Sequence, residues 1–510
     1  MPVSFLSRRF QRCLGRVVIT SMFLAVSLAK AQAASESASI SAIPASPEFR
    51  PDQILVQLKV RGNSEALTKL HAGHGSKVLR RFERLGGLQV VSVPPGDTAP
   101  GLAAKYRASG LVQFAEPDYI RHTALAPNDP KYVDGTLWAL NNYGQSGGTP
   151  HADIDAPAAW ETLTSASNII VAVLDSGVRY THEDLAANMW THPVDRSHGT
   201  NALAGTNDPA DDQGHGTLMA GVLGAVGNNT KGVVGVAWQV QIMACKCFDN
   251  NGNGSDSAII ACIEYARVNG ARIINASFDN TAYSQSLSNA IYSAREDGIL
   301  FVASCGNSAA DVNANPRYPA GYAIDNVVSV AYTTRNDTLG RLSNYGATKV
   351  HLAAPGAAIH STFFTSDSAY LGGQFLEGTS YAAAYVSGAL ALMLERYPTE
   401  THQQIIQRLL DATDRLPALA GKCTTAGRLN LNKALNPPIQ LTVLPAENRG
   451  EVRLRVSGPS GRTYVVEAAS DLANWQPVFT NAASAAGTFN FSDSFATNFS
   501  YRFYRAVSVP

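Results

Sequence analysis

Six continuous apolar runs, each ending at a turn, are the feature that most restricts how this chain can fold. They lie between residues 127 and 436 and are separated by segments of helical periodicity: "IIVAVLDSG", "VQIMACKCF", "RIINASF", "ILFVASCGN", "NVVSVAY" and "KVHLAAPG". Strands that are apolar along their whole length are buried on both faces, as in parallel sheets covered by helices. The sequence therefore predicts an α/β domain with a doubly wound, mostly parallel sheet.

The segments on either side of this domain have different patterns. Residues 52–119 alternate as strand, helix, two strands, helix and strand, and this βαββαβ order predicts a small ferredoxin-like α+β unit. The polar stretch "RHTALAPNDPKY" that follows suits a cleavable linker. From residue 437 to 510, short strands separated by Gly, Asn and Ser turns predict a small all-β sandwich.

The N-terminus has the pattern of an export signal. Four arginines between residues 8 and 16 precede the apolar run "VVITSMFLAVSLA", and "AQA" follows as a small-residue cleavage site. We therefore predict a signal peptide over residues 1–33 and a secreted protein, extracellular or periplasmic. A signal anchor is the alternative, although the apolar run is short for a membrane span. We expect no membrane span in the mature form.

Composition excludes one class of partner and leaves the cysteines open. The 510 residues include 40 basic and 40 acidic side chains, so the formal net charge is zero and nothing indicates nucleic-acid binding. Of the six cysteines, Cys13 lies in the predicted signal peptide. The other five permit up to two disulfides in an oxidising compartment, with a pairing that the sequence does not determine.

Three reactive side chains occur where open sheets place their sites, at strand ends and helix starts. Asp175 ends a buried strand, His215 lies between two glycines just before a small-residue helix, and Ser380 is the predicted first residue of a buried helix. Alone, these could be a turn residue, a structural histidine and a helix cap. Together they are what acyl transfer needs: a nucleophile, its base and a carboxylate that orients the base.

A fourth side chain completes the set. In "ILFVASCGNS", a strand runs into Asn307 and places a side-chain amide at its end. Such an amide can donate to the oxyanion of a tetrahedral intermediate, together with the main-chain N–H of Ser380. We therefore predict Asp175, His215, Ser380 and Asn307 as the catalytic residues.

The segments "AVLDSGV", "DDQGHGTLMAG", "FVASCGNS" and "EGTSYAAAYVSG" resemble the Asp, His, oxyanion-Asn and Ser blocks of the subtilisin-like serine proteases. The resemblance covers residues 127–436. It implies a serine endopeptidase that cleaves polypeptides: Ser380 attacks the peptide carbonyl, His215 takes its proton, Asp175 stabilises the imidazolium and Asn307 binds the oxyanion. Residues 34–126 resemble the family's inhibitory propeptide, which implies a zymogen inhibited by its own propeptide. We expect a monomer.

A few residues near the catalytic blocks depart from the family pattern. Leu218 and Met219 replace the usual His and Val after "GHGT", while Ala384 replaces a usual proline and Tyr385 a frequent histidine. These residues flank the catalytic groups without replacing them.

The resemblance also implies residues that bind substrate. The first specificity pocket would be lined by Ser277, Phe278, Asp279, Ser304, Cys305, Gly306 and Arg317, and the substrate backbone would pair with Gly252, Asn253 and Gly254. Asp279 stands where glycine is usual. Arg317 could face the pocket and favour acidic or polar side chains before the cleaved bond. The alternative, which we favour, is that it points to solvent or is neutralised by Asp279 or Asp311, leaving a broad apolar preference.

A structural calcium ion is the expected cofactor. Asp184 and Asn229 match ligand positions of the family's strong calcium site, and Asp129 or, as an alternative, Gln145 would complete the set. Hard oxygen ligands suit Ca²⁺; ordinary polar loop residues are the other interpretation. For the whole chain, the alternative to an enzyme is a catalytically silent subtilase-fold surface or binding protein, with the C-terminal sandwich as its working part.

Overall fold

The structure is a computed structural model that describes residues 16–19, 49–59, 64–119, 126–445, 451–458, 462–471, 474–484 and 487–508. The predicted signal peptide lies outside these residues except for a strand, Arg16–Ile19, and the first part of the predicted linker, 120–125, also lies outside them. The second part of that linker belongs to the folded domain, because the helix Pro130–Val133 follows at once and Asp129 is fully buried.

A nine-stranded sheet forms the centre of the peptidase-like region. Neighbouring strands run parallel, apart from an antiparallel pair at one edge. In spatial order the strands are Asp414–Arg415, Gly427–Arg428, Leu352–Pro355, Val327–Thr333, Leu300–Ser304, Ile273–Ala276, Ser165–Asp175, Gln239–Lys246 and Gly199–Asn201. All six predicted apolar runs are strands of this sheet, which confirms the mostly parallel α/β fold. A separate two-stranded hairpin joins His360–Thr362 to Tyr370–Gly372.

Helices cover both faces of the sheet. Alternate residues of the strand Ser165–Asp175 divide between two apolar clusters: Val171 and Val173 belong to one, Ala172 and Leu174 to the other. The first cluster also contains most of the buried helix Thr379–Arg396. The α-helices of this region are Pro130–Val133, Ala156–Trp160, His215–Gly224, Asp256–Val268, Gln285–Glu296, Thr379–Arg396, His402–Asp411 and Leu431–Leu435, and the 3₁₀ turns are Gln145–Gly147, Ala186–Asn188 and Pro417–Leu419.

The N-terminal unit has the predicted βαββαβ order. Its elements are Phe49–Leu58, Ser64–Gly73, Val78–Phe82, Leu88–Ser92, Ala99–Ala108 and Val112–Tyr119, with a 3₁₀ turn at Glu83–Leu85. The first strand lies between the third and the fourth in an antiparallel sheet, as in ferredoxin-like units. Both helices contribute to one small core through residues such as Leu67 and Leu102.

The C-terminal region consists of two sheets that share one core. One sheet contains Gln440–Leu444, Val452–Ser457 and Thr488–Asp493, and the other contains Arg16–Ile19, Tyr501–Ser508, Thr463–Ala469 and Gln476–Ala482, with a 3₁₀ turn at Ala496–Asn498. Side chains from both sheets, among them Phe491 and Tyr504, form the apolar cluster between them. The predicted all-β sandwich is therefore present.

Two further features complete the architecture. The five cysteines from Cys245 onward are all buried, and none forms a disulfide in the part of the chain that the structure describes. Within that same part, no helix is long and apolar enough to cross a bilayer.

Candidate active site

Asp175 ends the strand that is third from one edge of the sheet. Both strands that flank Ser165–Asp175 in the sheet, Gln239–Lys246 and Ile273–Ala276, come later in the chain. Its carboxyl end therefore lies where the direction of winding changes. The side chain of Asp175 is 5% exposed and accepts a hydrogen bond from the main-chain N–H of Ser176 at 2.8 Å. The carboxylate is thus held in a fixed position at the edge where sites form in such sheets.

His215 faces this carboxylate. It is the first residue of the helix His215–Gly224, rather than the residue before it, and follows Gly214, whose φ of 107° is open to glycine but strained for other residues. Its Nδ1 lies 2.8 and 2.9 Å from the two carboxylate oxygens of Asp175. The imidazole is about one-third exposed at 32%. Burial opposes protonation of the ring, but the charge and hydrogen bonds of Asp175 outweigh it and raise the pKa of His215.

Asp211 holds the loop that carries His215, and the sequence analysis missed it. Its carboxylate accepts hydrogen bonds from Gln213 N at 3.0 Å, Gly214 N at 2.8 Å, and Thr217 N at 3.0 Å. It also accepts from the hydroxyl groups of Ser176 and Thr217. The only signal in the sequence is an acidic residue four positions before the histidine.

Lys246 is a second residue that the sequence analysis missed. Although it lies in an apolar strand and is only 5% exposed, its Nζ reaches three oxygens. It donates to the main-chain carbonyls of Ser176 at 2.6 Å and Phe248 at 2.9 Å, and pairs with Asp212 at 2.6 Å. Lys246 therefore ties the turn after Asp175 to the loop before His215. A lone cation inside an apolar run was its signal.

Ser380 is the second residue of the helix Thr379–Arg396, one position later than predicted. Its Oγ donates to the main-chain carbonyl of Ser277 at 3.3 Å. Among the described residues, no hydrogen bond joins Nε2 of His215 to Oγ of Ser380. The helices that carry these two residues nevertheless pack against each other. The main-chain N–H groups of the first helical turn have no intrahelical acceptor and give this end a partial positive charge.

Asn307 follows the strand Leu300–Ser304 and reaches the same helix start. Its Oδ1 accepts hydrogen bonds from the main-chain N–H of Thr379 at 2.9 Å and from the Thr379 hydroxyl at 3.1 Å. These two hydrogen bonds occupy the amide oxygen and fix the side chain at the start of the helix that carries Ser380. Thr379 was not predicted, and its role follows only from the folded geometry.

The predicted pocket residues lie on the segments 277–279 and 304–306, near Ser380, and on a third segment that carries Arg317. The main-chain carbonyl of Ser277 accepts a hydrogen bond from Ser380 Oγ, and Ser304 Oγ donates to the carbonyl of Phe278 at 3.4 Å. The thiol of Cys305 points away, into a separate apolar cluster, and burial raises its pKa. The last three predicted residues, Asp279, Gly306 and Arg317, form a contact of their own: Nη1 of Arg317 lies 3.1 Å from Oδ2 of Asp279, and Gly306 lies against that carboxylate.

Gly252, Asn253 and Gly254 form an exposed turn rather than a long strand. A main-chain bridge joins Gly254 to Phe248, and Asp249 N donates to the carbonyl of Asn253 at 2.9 Å. The predicted pairing of this segment with a substrate backbone stays a prediction.

The predicted calcium ligands come together away from the sheet edge. Asp129 and Asp184 are fully buried, Asn229 Nδ2 donates to Asp184 at 2.7 Å, and Asn228 N donates to Asp129 at 2.8 Å. Burial raises the pKa of both carboxyl groups, and Asp184 raises that of Asp129 further. Gln145 is not part of this group, because its amide binds Gly135, Asn141 and Tyr143.

This group fits a hard cation. No lysine or arginine of the described residues pairs with Asp129 or Asp184, so their buried negative charge lacks a cationic partner from the chain. Carboxylate and amide oxygens are the donors that Ca²⁺ prefers. No cluster of three or more His, Cys, Asp or Glu side chains suited to a metal occurs in the described part of the chain. An ion would therefore be held by two carboxylates together with amide and main-chain oxygens.

Comparisons with known proteins match both the N-terminal unit and the domain that contains this site. Residues 166–435 match the model of the subtilase family, and residues 35–118 match the fervidolysin N-terminal prodomain. A thermophilic serine proteinase of Bacillus sp. (strain AK1) is 30% identical over 75% of this chain and 87% of its own length. Thermitase of Thermoactinomyces vulgaris is 32% identical over 61% of this chain and 99% of its own length.

Solved structures give the same result. A protease from Pseudoalteromonas arctica PAMC 21717 superposes with a TM-score of 0.51 at 30% sequence identity, covering 61% of this chain and 99% of that one. The subtilisin-like fold, the prodomain and the activity of a serine endopeptidase, all expected from the sequence, are thereby confirmed. This chain belongs to the subtilase family.

Proposed function

We propose that this protein is a secreted endopeptidase that hydrolyses peptide bonds through Asp175, His215 and Ser380 and an acyl-enzyme intermediate. One observation carries the proposal: His215 Nδ1 binds both oxygens of Asp175, at 2.8 and 2.9 Å. This contact fixes the tautomer of the imidazole, so that Nε2 carries a free electron pair on the side away from Asp175. A base oriented in this way is what a serine nucleophile requires.

Acylation begins with the rotation of the Ser380 hydroxyl. At rest, Oγ donates to the carbonyl of Ser277 over a long 3.3 Å contact, which a change of χ1 breaks at little cost. Catalytic hydrogen bonds often tighten only when substrate is bound. Oγ then attacks the peptide carbonyl while Nε2 of His215 takes its proton, and the Asp175 carboxylate stabilises the imidazolium.

The oxyanion accepts hydrogen bonds from Asn307 Nδ2 and the main-chain N–H of Ser380. The anchoring of Asn307 Oδ1 by Thr379 supports this role, because it holds the amide in place before the charge develops. His215 gives its proton to the leaving amine, whose departure leaves an ester on Ser380. The same base then activates water, which releases the acid product and restores the serine.

Asp129, Asp184 and Asn229 hold a structural calcium ion. When bound, calcium would neutralise the two carboxylates that Asp129 and Asp184 bury. It takes no part in the chemical steps.

The chain is made as a zymogen that acts as a monomer after maturation. Residues 1–33 form the signal peptide, 34–126 the propeptide, 127–436 the peptidase domain and 437–510 the C-terminal β-sandwich. The prodomain blocks the active site until the segment between residues 120 and 127 is cut. A parallel sheet folds slowly because its contacts are distant in sequence, which explains the need for a folding aid.

The proposal is tested by labelling and hydrolysis. The full chain is expressed, allowed to mature, and treated with a fluorophosphonate, which forms a covalent bond with an activated serine. We expect the label on Ser380 and hydrolysis of denatured casein. N-terminal sequencing should show that the mature protein begins near residue 127.

The Ser380→Ala variant should accumulate as the uncut precursor and take up no label. Two results would contradict the proposal: a matured wild-type protein that leaves casein intact and Ser380 unlabelled, which would indicate a catalytically silent member, or equal labelling and hydrolysis by the alanine variant.

A further inference from the structure

Two segments that continue neighbouring strands lie side by side next to the nucleophile. Residues 277–279 follow the strand Ile273–Ala276, and residues 304–306 follow the strand Leu300–Ser304. The first segment contacts Ser380 directly, through the hydrogen bond of its hydroxyl to Ser277. The gap between the two segments is therefore where the side chain that precedes the cleaved bond would enter.

A third segment brings Arg317 to this gap. Asn280 and Tyr318 exchange two main-chain hydrogen bonds of 2.8 Å each, which aligns the residues next to them. As a result, Arg317 Nη1 pairs with Asp279 Oδ2 at 3.1 Å, while its Nη2 donates to Ser308 Oγ at 3.2 Å. Arg317 is thus neutralised by Asp279, in agreement with the alternative that the sequence favoured.

The ion pair occupies the space between the two walls. A Cβ placed on Gly306 would lie 2.8 Å from Oδ2 of Asp279, so the carboxylate rests directly on the main chain of the opposite wall. The side chains of Asp279 and Arg317 are only 22% and 23% exposed. Burial raises the pKa of Asp279, although Arg317 acts in the opposite direction. Nε of Arg317 is buried without a hydrogen-bond partner in the described residues, an arrangement that costs stability.

We propose, on the basis of the nucleophile assigned above, that the Asp279–Arg317 ion pair closes the floor of this pocket and makes the enzyme select small residues before the cleaved bond. Gly, Ala and Ser leave the pair in place. A large apolar side chain such as Phe or Leu must either displace the pair or remove its remaining contact with water, and desolvating an ion pair is costly.

The pair also determines how the pocket responds to charge. While both members are present, their charges cancel, and neither acidic nor basic side chains gain an advantage. Removing one member leaves the other uncompensated beside the substrate. Arg317 alone would then attract Glu, and Asp279 alone would attract Lys or Arg.

The experiment compares four matured enzymes on peptides that differ only in the residue before the cleaved bond. Wild type should cleave after Ala at least about tenfold faster, in kcat/KM, than after Phe, because differences of this order follow from pocket size. Asp279→Gly/Arg317→Gly opens the floor and should raise the Phe-to-Ala ratio by about 10- to 200-fold. Asp279→Asn should gain cleavage after Glu, and Arg317→Gln should gain cleavage after Lys.

Two controls keep the result interpretable. Arg267→Ala/Asp297→Ala removes another arginine–aspartate pair, on the surface at 2.8 Å, and should leave the Phe-to-Ala ratio unchanged. Fluorophosphonate labelling counts active sites in each preparation, so a partly misfolded variant does not distort the ratios.

The proposal is wrong if labelled wild type prefers Phe or Leu, or if the glycine double variant labels normally and keeps the wild-type ratio. If wild type takes up no label at all, the proposed nucleophile fails, and this inference fails with it.

Discussion

Two of the places where the peptidase domain buries carboxylates differ in how the charge is compensated. Asp175 faces His215, which becomes a cation in the proposed mechanism, and Lys246 binds the carbonyl of Ser176, the next residue. Asp129 and Asp184 accept hydrogen bonds from neutral N–H groups, and no lysine or arginine in the described residues pairs with them.

This difference separates a catalytic carboxylate from a structural one. At Asp175 the chain supplies a partner whose charge changes within the catalytic cycle, so the carboxylate can stabilise one state more than another. At Asp129 and Asp184 the negative charge is constant, and burial raises the pKa of both groups. A bound cation removes that cost without any change during turnover. We therefore expect removal of the Asp175 charge to lower activity without changing the sensitivity to chelator. Removal of metal should lower stability without changing the chemical steps.

The largest expected effect is that of Asp175→Asn. The amide keeps the shape of the carboxylate but neither fixes the tautomer of His215 nor stabilises its cation, and kcat should fall by about 10⁴-fold. Thermal inactivation should remain sensitive to chelator, since the other carboxylates are untouched. The measurement is peptide hydrolysis per mole of folded variant protein, because fluorophosphonate labelling itself depends on an activated serine. A loss smaller than tenfold would contradict the role of Asp175.

Removing calcium should act on stability and leave chemistry alone. An ion at about 100 times its Kd stabilises the fold by about 2.7 kcal/mol, so a chelator should shorten the half-life at high temperature by up to about 100-fold. Asp184→Asn should be inactivated as fast as the chelated wild type, with or without chelator. Asp134→Asn, which alters an exposed carboxylate paired with Lys131, is the matched control. If chelator left the thermal inactivation rate of the wild type unchanged, a stabilising ion would be ruled out.

The pH profile of activity tests the electrostatics of the catalytic pair. Asp175 raises the pKa of His215 above its ordinary value, and the protonated ring cannot act as a base. Activity should therefore be lost as the pH falls through this raised value, and kcat/KM should show its acidic limb above pH 6.5, the ordinary value for histidine.

In Asp175→Asn the same limb should move to lower pH, because the attracting charge is gone. The shift is measured from kcat/KM on the residual activity and from the NMR signal of the His215 ring. An acidic limb at the same pH in both proteins would show that another group controls it.

The strands, and the residues that make up the candidate site, could be picked out from sequence because each has a local signal. Continuous apolar runs mark buried strands, and Asp175, His215 and Asn307 stand beside glycines or at the ends of such runs. Short edge strands such as Gly199–Asn201 and Asp414–Arg415 have no such pattern, since only two or three residues pair with their neighbours.

The supporting residues could not be predicted, because their roles are contacts between distant parts of the chain. Asp211 acts through the N–H groups of a loop, and Thr379 acts through Asn307, 72 positions earlier. The pairing of Arg317 with Asp279 was foreseen as one alternative, but its closeness to Gly306 depends on the arrangement of three separate segments. A sequence shows which side chains are reactive more readily than what holds them.

The smallest expected effect concerns Lys246, the buried cation next to Asp175. Lys246→Met keeps the length and apolar volume of the side chain but removes its bonds to the carbonyls of Ser176 and Phe248. Its partner Asp212 is 53% exposed, so water solvates the carboxylate that is left behind. Charged hydrogen bonds contribute about 1.5–3 kcal/mol each, and we expect lower thermal stability with a kcat reduced only several-fold.

Lys433→Met is the matched control, because it removes a lysine–aspartate pair from the helix Leu431–Leu435 and should leave kcat unchanged. Thermal unfolding and titrated kcat of both variants, with and without chelator, complete the test. If Lys246→Met lost its sensitivity to chelator, the two buried carboxylate groups would be coupled through this lysine, and the separation drawn between catalytic and structural charge would not hold. If kcat were instead reduced as far as in Asp175→Asn, Lys246 would belong to the catalytic charge balance itself, because loss of a bond that only positions the turn after Asp175 cannot remove the base.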